Sequence, residues 1–244
     1  MIVTGNSAHS GMKAAKILPP SYLPYRVLNL ANWKIMLLTN AAGIVLLFFF
    51  GWIFMGLAAA LQPQFFVLGL TRFARTLSPL AFVVTAVTVI VLHELAHALF
   101  FWLFTRERPK IGFNLLYAYA AAPDWYFPRN HFVLIGLAPL LLITLAGGIL
   151  MFFVDFMAIP RLVLALTINA AGAIGDMMVV GWLLAQPAAI LIRDQGTAIT
   201  LYREQQRAPG ADQAHLTFPT KSGILGSDRK LITQSDTQKA RRNE

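Results

Sequence analysis

His93, Glu94 and His97 form the pattern His-Glu-x-x-His within one apolar run, Leu80–Phe104. On a helix the two histidines are four residues apart and share a face, so both imidazoles can bind one metal ion. Glu94 is adjacent and can reach a metal-bound water as a general base. The alternative is a chance match, which is common in soluble chains. A carboxylate at membrane depth costs roughly 2.5–3.5 kcal/mol and is usually functional, so the run favours a metal site.

Asp176 is the candidate for a third metal ligand. It lies 15 residues after Arg161, where the last apolar run begins, and His93 lies 15 residues after Ser78, where an earlier run begins. At about 1.5 Å per residue, both positions lie roughly 22 Å from one end of parallel helices and therefore share a depth. The alternative for Asp176 is a structural carboxylate that is hydrogen-bonded between helices. Asn169, seven residues earlier, lies on nearly the same helix face.

Two imidazoles and one carboxylate leave one tetrahedral position open for water, as in catalytic zinc sites. Zinc lowers the pKa of a bound water toward about 7, so hydroxide is available at neutral pH. Glu94 would take the water's proton and pass it to the leaving amine. Asn169 would either donate a hydrogen bond to the developing oxyanion or bond between helices, and the sequence favours neither. We therefore predict Glu94 and Asn169 as catalytic residues and His93, His97 and Asp176 as ligands of Zn²⁺, although other divalent ions also suit these ligands.

The composition indicates a membrane protein. Hydrophobic residues make up 57% of the 244 residues and charged residues 13%, and the mean hydropathy is +0.61. These values exclude an ordinary soluble domain. Cysteine is absent from the sequence, which excludes disulfides and thiolate metal sites. The net charge of +9 would suit nucleic acid, but the basic residues flank apolar runs or lie near the C-terminus, where they suit anionic lipid headgroups.

Four apolar runs are long enough to cross a bilayer, so we expect an all-α fold with about four transmembrane helices. The runs cover residues 35–61, 78–105, 131–157 and 161–192. They define a membrane domain over residues 35–192. Residues 1–34 are expected to form a cytoplasmic leader whose prolines oppose regular structure, and residues 193–244 a cytoplasmic, largely disordered basic tail. The first run is expected to be an uncleaved anchor.

The connections leave alternatives open. Residues 62–78 are apolar enough either to lie in the membrane interface or to form a surface loop with buried aromatics. Residues 106–130 combine aromatic and β-branched residues, which favours either a short hairpin beside the site or an interfacial loop. Gly172 and Gly175 in the last run are expected to let another helix approach closely.

The distribution of basic residues predicts the orientation. The leader has four lysines and arginines, residues 106–130 have four and the tail has nine, whereas the two connections on the other side have two and one. Basic residues concentrate on the cytoplasmic side. We therefore expect both termini in the cytoplasm of an integral, bacterial inner (plasma) membrane protein.

The pattern at residues 93–97, followed by Asn169 and the pair Gly175-Asp176, resembles the "putative zincin peptidase" family of integral membrane proteins. The chain is more distantly similar to the site-2 protease group of intramembrane zinc metalloproteases. The resemblance covers roughly residues 80–200. It implies His93 and His97 as zinc ligands, Glu94 as the base and Asp176 as the third ligand. In the site-2 group a glycine typically follows the aspartate, whereas Gly175 precedes Asp176 here.

These observations predict a zinc-dependent peptidase that hydrolyses a peptide bond in or beside the bilayer. Its expected partners are a membrane protein or peptide substrate and the lipid bilayer, with no nucleic acid. The alternatives are a non-catalytic metal-binding regulator or scaffold, which would not need Glu94, and a metal transporter. Transporters usually show repeats and paired broken helices, and the sequence has no evident repeat.

Overall fold

We describe residues 13–64, 78–114, 117–196 and 198–205 of the chain from a computed structural model. Five helices occur in this part of the chain: α1 (Trp33–Leu61), α2 (Pro79–Thr105), α3 (Arg129–Leu150), α4 (Ile159–Gly172) and α5 (Ile174–Leu184). The first three are long and apolar enough to cross a membrane, and α4 and α5 together pass the same test as a bent pair. The chain is thus a mostly helical membrane protein with three or four candidate spans. The predicted interfacial stretch at 65–77 and the tail beyond residue 205 lie outside the described residues.

Polar residues begin the first two helices. The side chain of Asn32 accepts a hydrogen bond from the backbone N–H of Lys34, and the side chain of Ser78 accepts one from Ala81. Such caps satisfy N–H groups that have no partner within the helix. Beyond the caps the outward faces are apolar, with Phe48 74% and Trp52 76% exposed on α1. Large exposed apolar faces of this kind suit contact with lipid rather than water.

The third helix ends earlier than the sequence predicts. It stops at Leu150 instead of Met157, and residues 151–158 form turns. The side chain of Gln62 donates hydrogen bonds to the backbone carbonyls of Met151 (3.0 Å) and Val154 (3.1 Å). The turn is therefore stabilised by a polar side chain from the end of α1, which supplies hydrogen bonds that a continued helix would have made internally.

The prediction of one continuous fourth helix over residues 161–192 was wrong. The chain breaks between α4 and α5 with a bend of 41°, and helical structure ends at Leu184. Gly172 and Gly175 flank this break. Glycine weakens a helix by roughly 0.5–1 kcal/mol relative to alanine, and two glycines in four residues are a common cause of kinks.

The expectation of an all-α fold is confirmed only in part, because strands also form on one side of the helices. Four strands, β1 (Tyr22–Asn29), β4 (Phe127–Pro128), β5 (Ile190–Asp194) and β6 (Ala198–Glu204), make an antiparallel sheet in the order β1-β6-β5-β4. Two more, β2 (Lys110–Asn114) and β3 (Tyr117–Ala121), form a hairpin. The hairpin alternative for residues 106–130 is confirmed. Regular strands also occur in parts of the expected leader and tail.

The four-stranded sheet joins the leader, the connection between α2 and α3, and the segment after α5. These three segments therefore lie on one side of the helical layer. The cytoplasmic orientation of that side stays a prediction. The sheet rests on the helix ends through a buried apolar cluster that includes Phe101 of α2, Phe132 of α3, Leu183 of α5 and Ile192 of β5. This cluster ties the helices that carry the histidines and Asp176 to the sheet.

A second buried cluster holds the helices together at the opposite end. It joins α1 to α4 through Phe54, Ala58, Val163 and Leu166, with Met151 and other residues of the turn after α3. At this end α3 approaches α4 closely, because a Cβ atom at Gly147 would lie 2.4 Å from a methyl carbon of Leu166. The missing side chain at Gly147 therefore permits close helix packing.

Candidate metal centre

The imidazoles of His93 and His97 are fixed by hydrogen bonds to carbonyl oxygens. Nδ1 of His93 lies 3.1 Å from the amide Oδ1 of Asn169, and Nδ1 of His97 lies 2.9 Å from the backbone carbonyl oxygen of Ile135. A carbonyl oxygen only accepts hydrogen bonds, so Nδ1 of each ring carries the proton. In the neutral form each Nε2 then has a free lone pair, as a metal-ligating histidine requires.

Both Nε2 atoms face the carboxylate of Asp176. Nε2 of His93 lies 3.0 Å from Oδ2, and Nε2 of His97 lies 3.4 Å from Oδ1. The candidate ligand atoms of the three residues all lie within 4.8 Å of one another. A neutral Nε2 lone pair that faces a carboxylate oxygen is repelled by it unless a proton or a metal cation lies between the two atoms. The trio therefore fits a divalent metal ion, with two nitrogen ligands and one oxygen ligand.

The break in the fourth span places both polar residues of that span at the site. Asn169 is buried near the end of α4, and its amide nitrogen donates to the backbone carbonyl oxygen of Pro139, 3.3 Å away in α3. Asp176 lies in the first turn of α5, where unpaired N–H groups favour a negative charge. The bent pair thus carries the residue that orients His93 and the carboxylate that faces both rings.

Glu94 lies beside the trio and contacts the β2–β3 hairpin. The backbone N–H of Ala120 in β3 donates a hydrogen bond to its carboxylate. The side chain is half-buried and lines the same cavity as His93, His97 and Asp176. A backbone donor on a hairpin fixes the carboxylate without neutralising its charge, so Glu94 stays able to accept a proton.

The candidate metal centre opens into a cavity of about 240 Å³. Its walls come from α2, α3, α5, the hairpin and the β5–β6 turn, and Gly136, Gly172 and Gly175 are among the lining residues. The expectation that Gly172 and Gly175 admit a neighbouring helix was wrong, because a Cβ atom at either position would meet nothing within 4 Å. The missing side chains instead leave open space beside Asp176.

One known protein family matches the part of the chain that carries this site. Residues 86–191 match the family described as "Putative zincin peptidase". The resemblance predicted from the sequence is confirmed over this range, which runs from α2 to β5 and contains His93, Glu94, His97, Asn169 and Asp176. The distant similarity to the site-2 protease group stays a prediction. No match was found among curated proteins or among solved structures.

One polar residue of this cavity was not singled out by the sequence. Asp194 ends β5, is 9% exposed and lines the cavity together with the trio. Burial raises the pKa of its carboxyl to about 6, while the backbone N–H of Gly196, 2.8 Å from Oδ1, acts in the opposite direction. The sequence Asp194-Gln195-Gly196 follows an apolar, β-branched run, and this turn pattern could have indicated a strand end. Asp194 lies three residues beyond the matched range.

Proposed function

We propose that this protein is a membrane-embedded zinc-dependent peptidase that hydrolyses a peptide bond in or beside the bilayer. The observation that carries the proposal is the convergence of His93, His97 and Asp176, with their candidate ligand atoms within 4.8 Å, beside the carboxylate of Glu94. The family match over residues 86–191 supports the same activity.

In this proposal His93 and His97 hold zinc through Nε2 and Asp176 holds it through a carboxylate oxygen. Bound zinc supplies a Lewis acid and lowers the pKa of a coordinated water. The hydrogen bonds from each Nδ1 to a carbonyl oxygen keep both rings in the required tautomer and orientation. Partners of this kind typically account for 10–100-fold in metal affinity.

Glu94 is the proposed general base. Its carboxylate takes a proton from the attacking water and later gives it to the nitrogen of the leaving amine. The hydrogen bond from the Ala120 N–H holds the carboxylate against the cavity wall, so the proton is received and released at one place. If Glu94 were only a metal ligand, its carboxylate would be expected among the converging ligand atoms of His93, His97 and Asp176.

Asn169 is proposed to act mainly as a positioning residue. Its Oδ1 accepts from His93, and its amide nitrogen donates to Pro139. Both ends of the amide are therefore engaged between helices. Donation to an oxyanion, the other predicted role, would need the second hydrogen of the same amide nitrogen.

The proposed location is a bacterial inner membrane with both termini in the cytoplasm. The sheet and hairpin would then lie at the cytoplasmic surface, and the cavity would open toward that side, where water is available for hydrolysis. The proposed substrates are membrane proteins or peptides that reach the cavity from the bilayer or from this surface.

The test compares the purified full-length chain with Glu94→Gln, using Glu107→Gln as the control. Glu107 is an exposed carboxylate near the end of α2 that pairs with Lys16 at 2.6 Å, away from the cavity. We expect one zinc per chain in all three proteins, and cleavage of membrane-derived peptides by all except Glu94→Gln. Equal cleavage by the wild type and Glu94→Gln would refute Glu94 as the base. Stoichiometric zinc with no cleavage by any protein would favour the metal-binding regulator or scaffold instead.

A further inference from the structure

Asp194 is a buried carboxylate that the proposed hydrolysis does not use. It lines the metal-centre cavity from the β5–β6 turn, and only 9% of its surface is exposed. In the described part of the chain, the hydrogen bond that its carboxylate receives comes from the backbone N–H of Gly196, at Oδ1. The turn therefore occupies one oxygen and leaves Oδ2 for another partner.

The charges that surround the cavity are unbalanced. Three carboxylates line it, those of Glu94, Asp176 and Asp194, and no lysine or arginine is found among its described lining residues. A divalent ion bound to the trio would neutralise two of the three negative charges, with both imidazoles neutral. Asp194 carries one of these charges and is only 9% exposed, and an unpaired charge on a buried group is costly. A cationic group on a ligand is the partner that would offset it.

We propose that Asp194 is a specificity-determining residue that binds a cationic amine of the substrate, either a lysine side chain or a free α-amino group, next to the bond that is hydrolysed. This inference rests on the proposed peptidase function.

An ammonium group fits the site better than a guanidinium. Arginine binds carboxylates best through two parallel hydrogen bonds to both oxygens, whereas an ammonium acts as a compact point charge. The N–H of Gly196 already takes Oδ1, which leaves Asp194 a one-point site. The cavity of about 240 Å³ is also below the usual range of roughly 300–1,000 Å³ for drug-sized ligands, so a compact group is favoured.

The turn by itself does not account for a buried charge at this position. Asp155 makes the same local contact, since its Oδ1 accepts from the backbone N–H of Met157 at 2.8 Å, but it lies exposed at the other end of the helices. An asparagine would serve either turn equally well. Burial raises the pKa of Asp194 to about 6, which leaves the group mainly ionised at neutral pH. A cationic ligand would favour this ionised form.

The experiment measures peptide binding by calorimetry to the zinc-loaded, full-length Glu94→Asp variant in detergent micelles, because this substitution shortens the proposed base and keeps the charge of the cavity. The probes are short alanine peptides in three forms: blocked at both ends with one lysine, blocked with norleucine in its place, and all-alanine with a free N-terminus. A blocked all-alanine peptide is the reference for the last form. Each is measured with Asp194 intact, with Asp194→Asn added, and with Asp155→Asn added as the matched control.

We expect one cationic peptide to bind about tenfold or more tightly than its uncharged counterpart, as hydrogen bonds between charged groups allow. The comparison of the lysine peptide with the norleucine peptide tests a lysine side chain as the source of the amine. The comparison of the free with the blocked all-alanine peptide tests the α-amino group. Asp194→Asn should abolish the preference while zinc content stays at one per chain, and Asp155→Asn should retain it. A preference that survives Asp194→Asn, or no binding of any peptide, overturns the inference. If the preference is present but the wild type leaves the preferred peptide intact, the proposed hydrolysis fails, and only the binding of an amine by Asp194 stands.

Discussion

The imidazole Nδ1 of His93 and the amide Oδ1 of Asn169 lie 3.1 Å apart, although the two residues are 76 positions apart in the chain. Asn169 is held in turn by the carbonyl of Pro139, so α2, α3 and α4 meet at this amide. Helices in a bilayer gain stability from such interhelical hydrogen bonds, because lipid offers no alternative partner. The same amide therefore serves helix packing and the orientation of a candidate metal ligand.

Asn169→Ala should weaken zinc binding more than it weakens the fold. Loss of the acceptor for His93 Nδ1 frees the ring to rotate, and we expect zinc affinity to fall about 10–100-fold. The buried hydrogen-bond partners that remain should lower the free energy of unfolding by about 1–3 kcal/mol. Competition with a chromogenic chelator measures the affinity. Asn40→Ala is the control, because Asn40 is exposed and its side chain donates to the Met36 carbonyl oxygen within its own helix. An equal loss of affinity in both variants would contradict the orienting role.

Gly147→Ala and Gly148→Ala form a matched pair for helix packing. A Cβ atom at Gly147 would lie 2.4 Å from one methyl carbon of Leu166 and 3.0 Å from its Cγ, whereas at Gly148 it would meet nothing within 4 Å. Leu166 is 1% exposed, so any shift of its side chain must displace buried neighbours. We expect Gly147→Ala to reduce the free energy of unfolding by about 1–3 kcal/mol through overpacking, and Gly148→Ala to be neutral or slightly stabilising. Denaturation in mixed micelles checks both, and equal stability of the two variants would contradict the close approach of α3 and α4.

Gly175→Ala should separate stability from activity. Gly175 is the second residue of α5, and an added methyl group would meet no atom within 4 Å because it points into the open cavity. Replacing glycine by alanine in a helix stabilises by roughly 0.5–1 kcal/mol. We therefore expect unchanged or higher stability and full zinc content, with slower peptide cleavage because the cavity is smaller. Gly175→Leu should extend the same trend, and undiminished cleavage by the leucine variant would show that substrate does not use this space.

The sequence predicted the parts of this molecule that depend on local physics. Long apolar runs identified α1, α2 and α3 as candidate spans because a helix exposed to lipid must be apolar on most of its surface. His93, His97 and Asp176 stood out because ionisable groups within such runs are costly. A shared depth for His93 and Asp176 was predicted by counting the helix rise from Ser78 and from Arg161, but the break that places Asp176 in the first turn of α5 was not predicted.

The four-stranded sheet was not predictable in the same way. Its strands come from segments far apart in sequence, and their pairing is a long-range property. The prolines of the leader argued against a strand. Pro24 nevertheless lies in β1, at the edge of the sheet, where the β1–β6 register shifts between Pro24 and Arg26. Edge positions and bulges are where a strand tolerates proline. Asp194 was missed for a related reason, because a single acidic residue after an apolar run resembles the start of a polar tail.

The buried charge of Asp194 predicts how stability changes with pH. The ordinary pKa of its carboxyl is 3.8 and the folded value is about 6, raised mainly by burial, with His97 acting against and Asp176 with this increase. Between these two values the folded protein keeps a proton that the unfolded chain has released. The stability that the protonated Asp194 carboxyl contributes is therefore fully present below pH 3.8. It is lost as pH rises through about 6 and stays lost above that pH. The full loss amounts to up to about 3 kcal/mol.

Asp194→Asn should remove this dependence, because the amide keeps the acceptor for the Gly196 N–H and has no charge to bury. We expect the variant to be more stable than the wild type at pH 8 by up to about 3 kcal/mol, with the advantage disappearing toward pH 4. Denaturant midpoints of both proteins across this range, measured with chelator so that metal binding does not contribute, provide the test. Asp155→Asn should leave the wild-type profile unchanged, since that carboxylate is exposed. Parallel pH profiles for the wild type and Asp194→Asn would mean that the Asp194 charge is not the source of the dependence, and that water or an ion already compensates it.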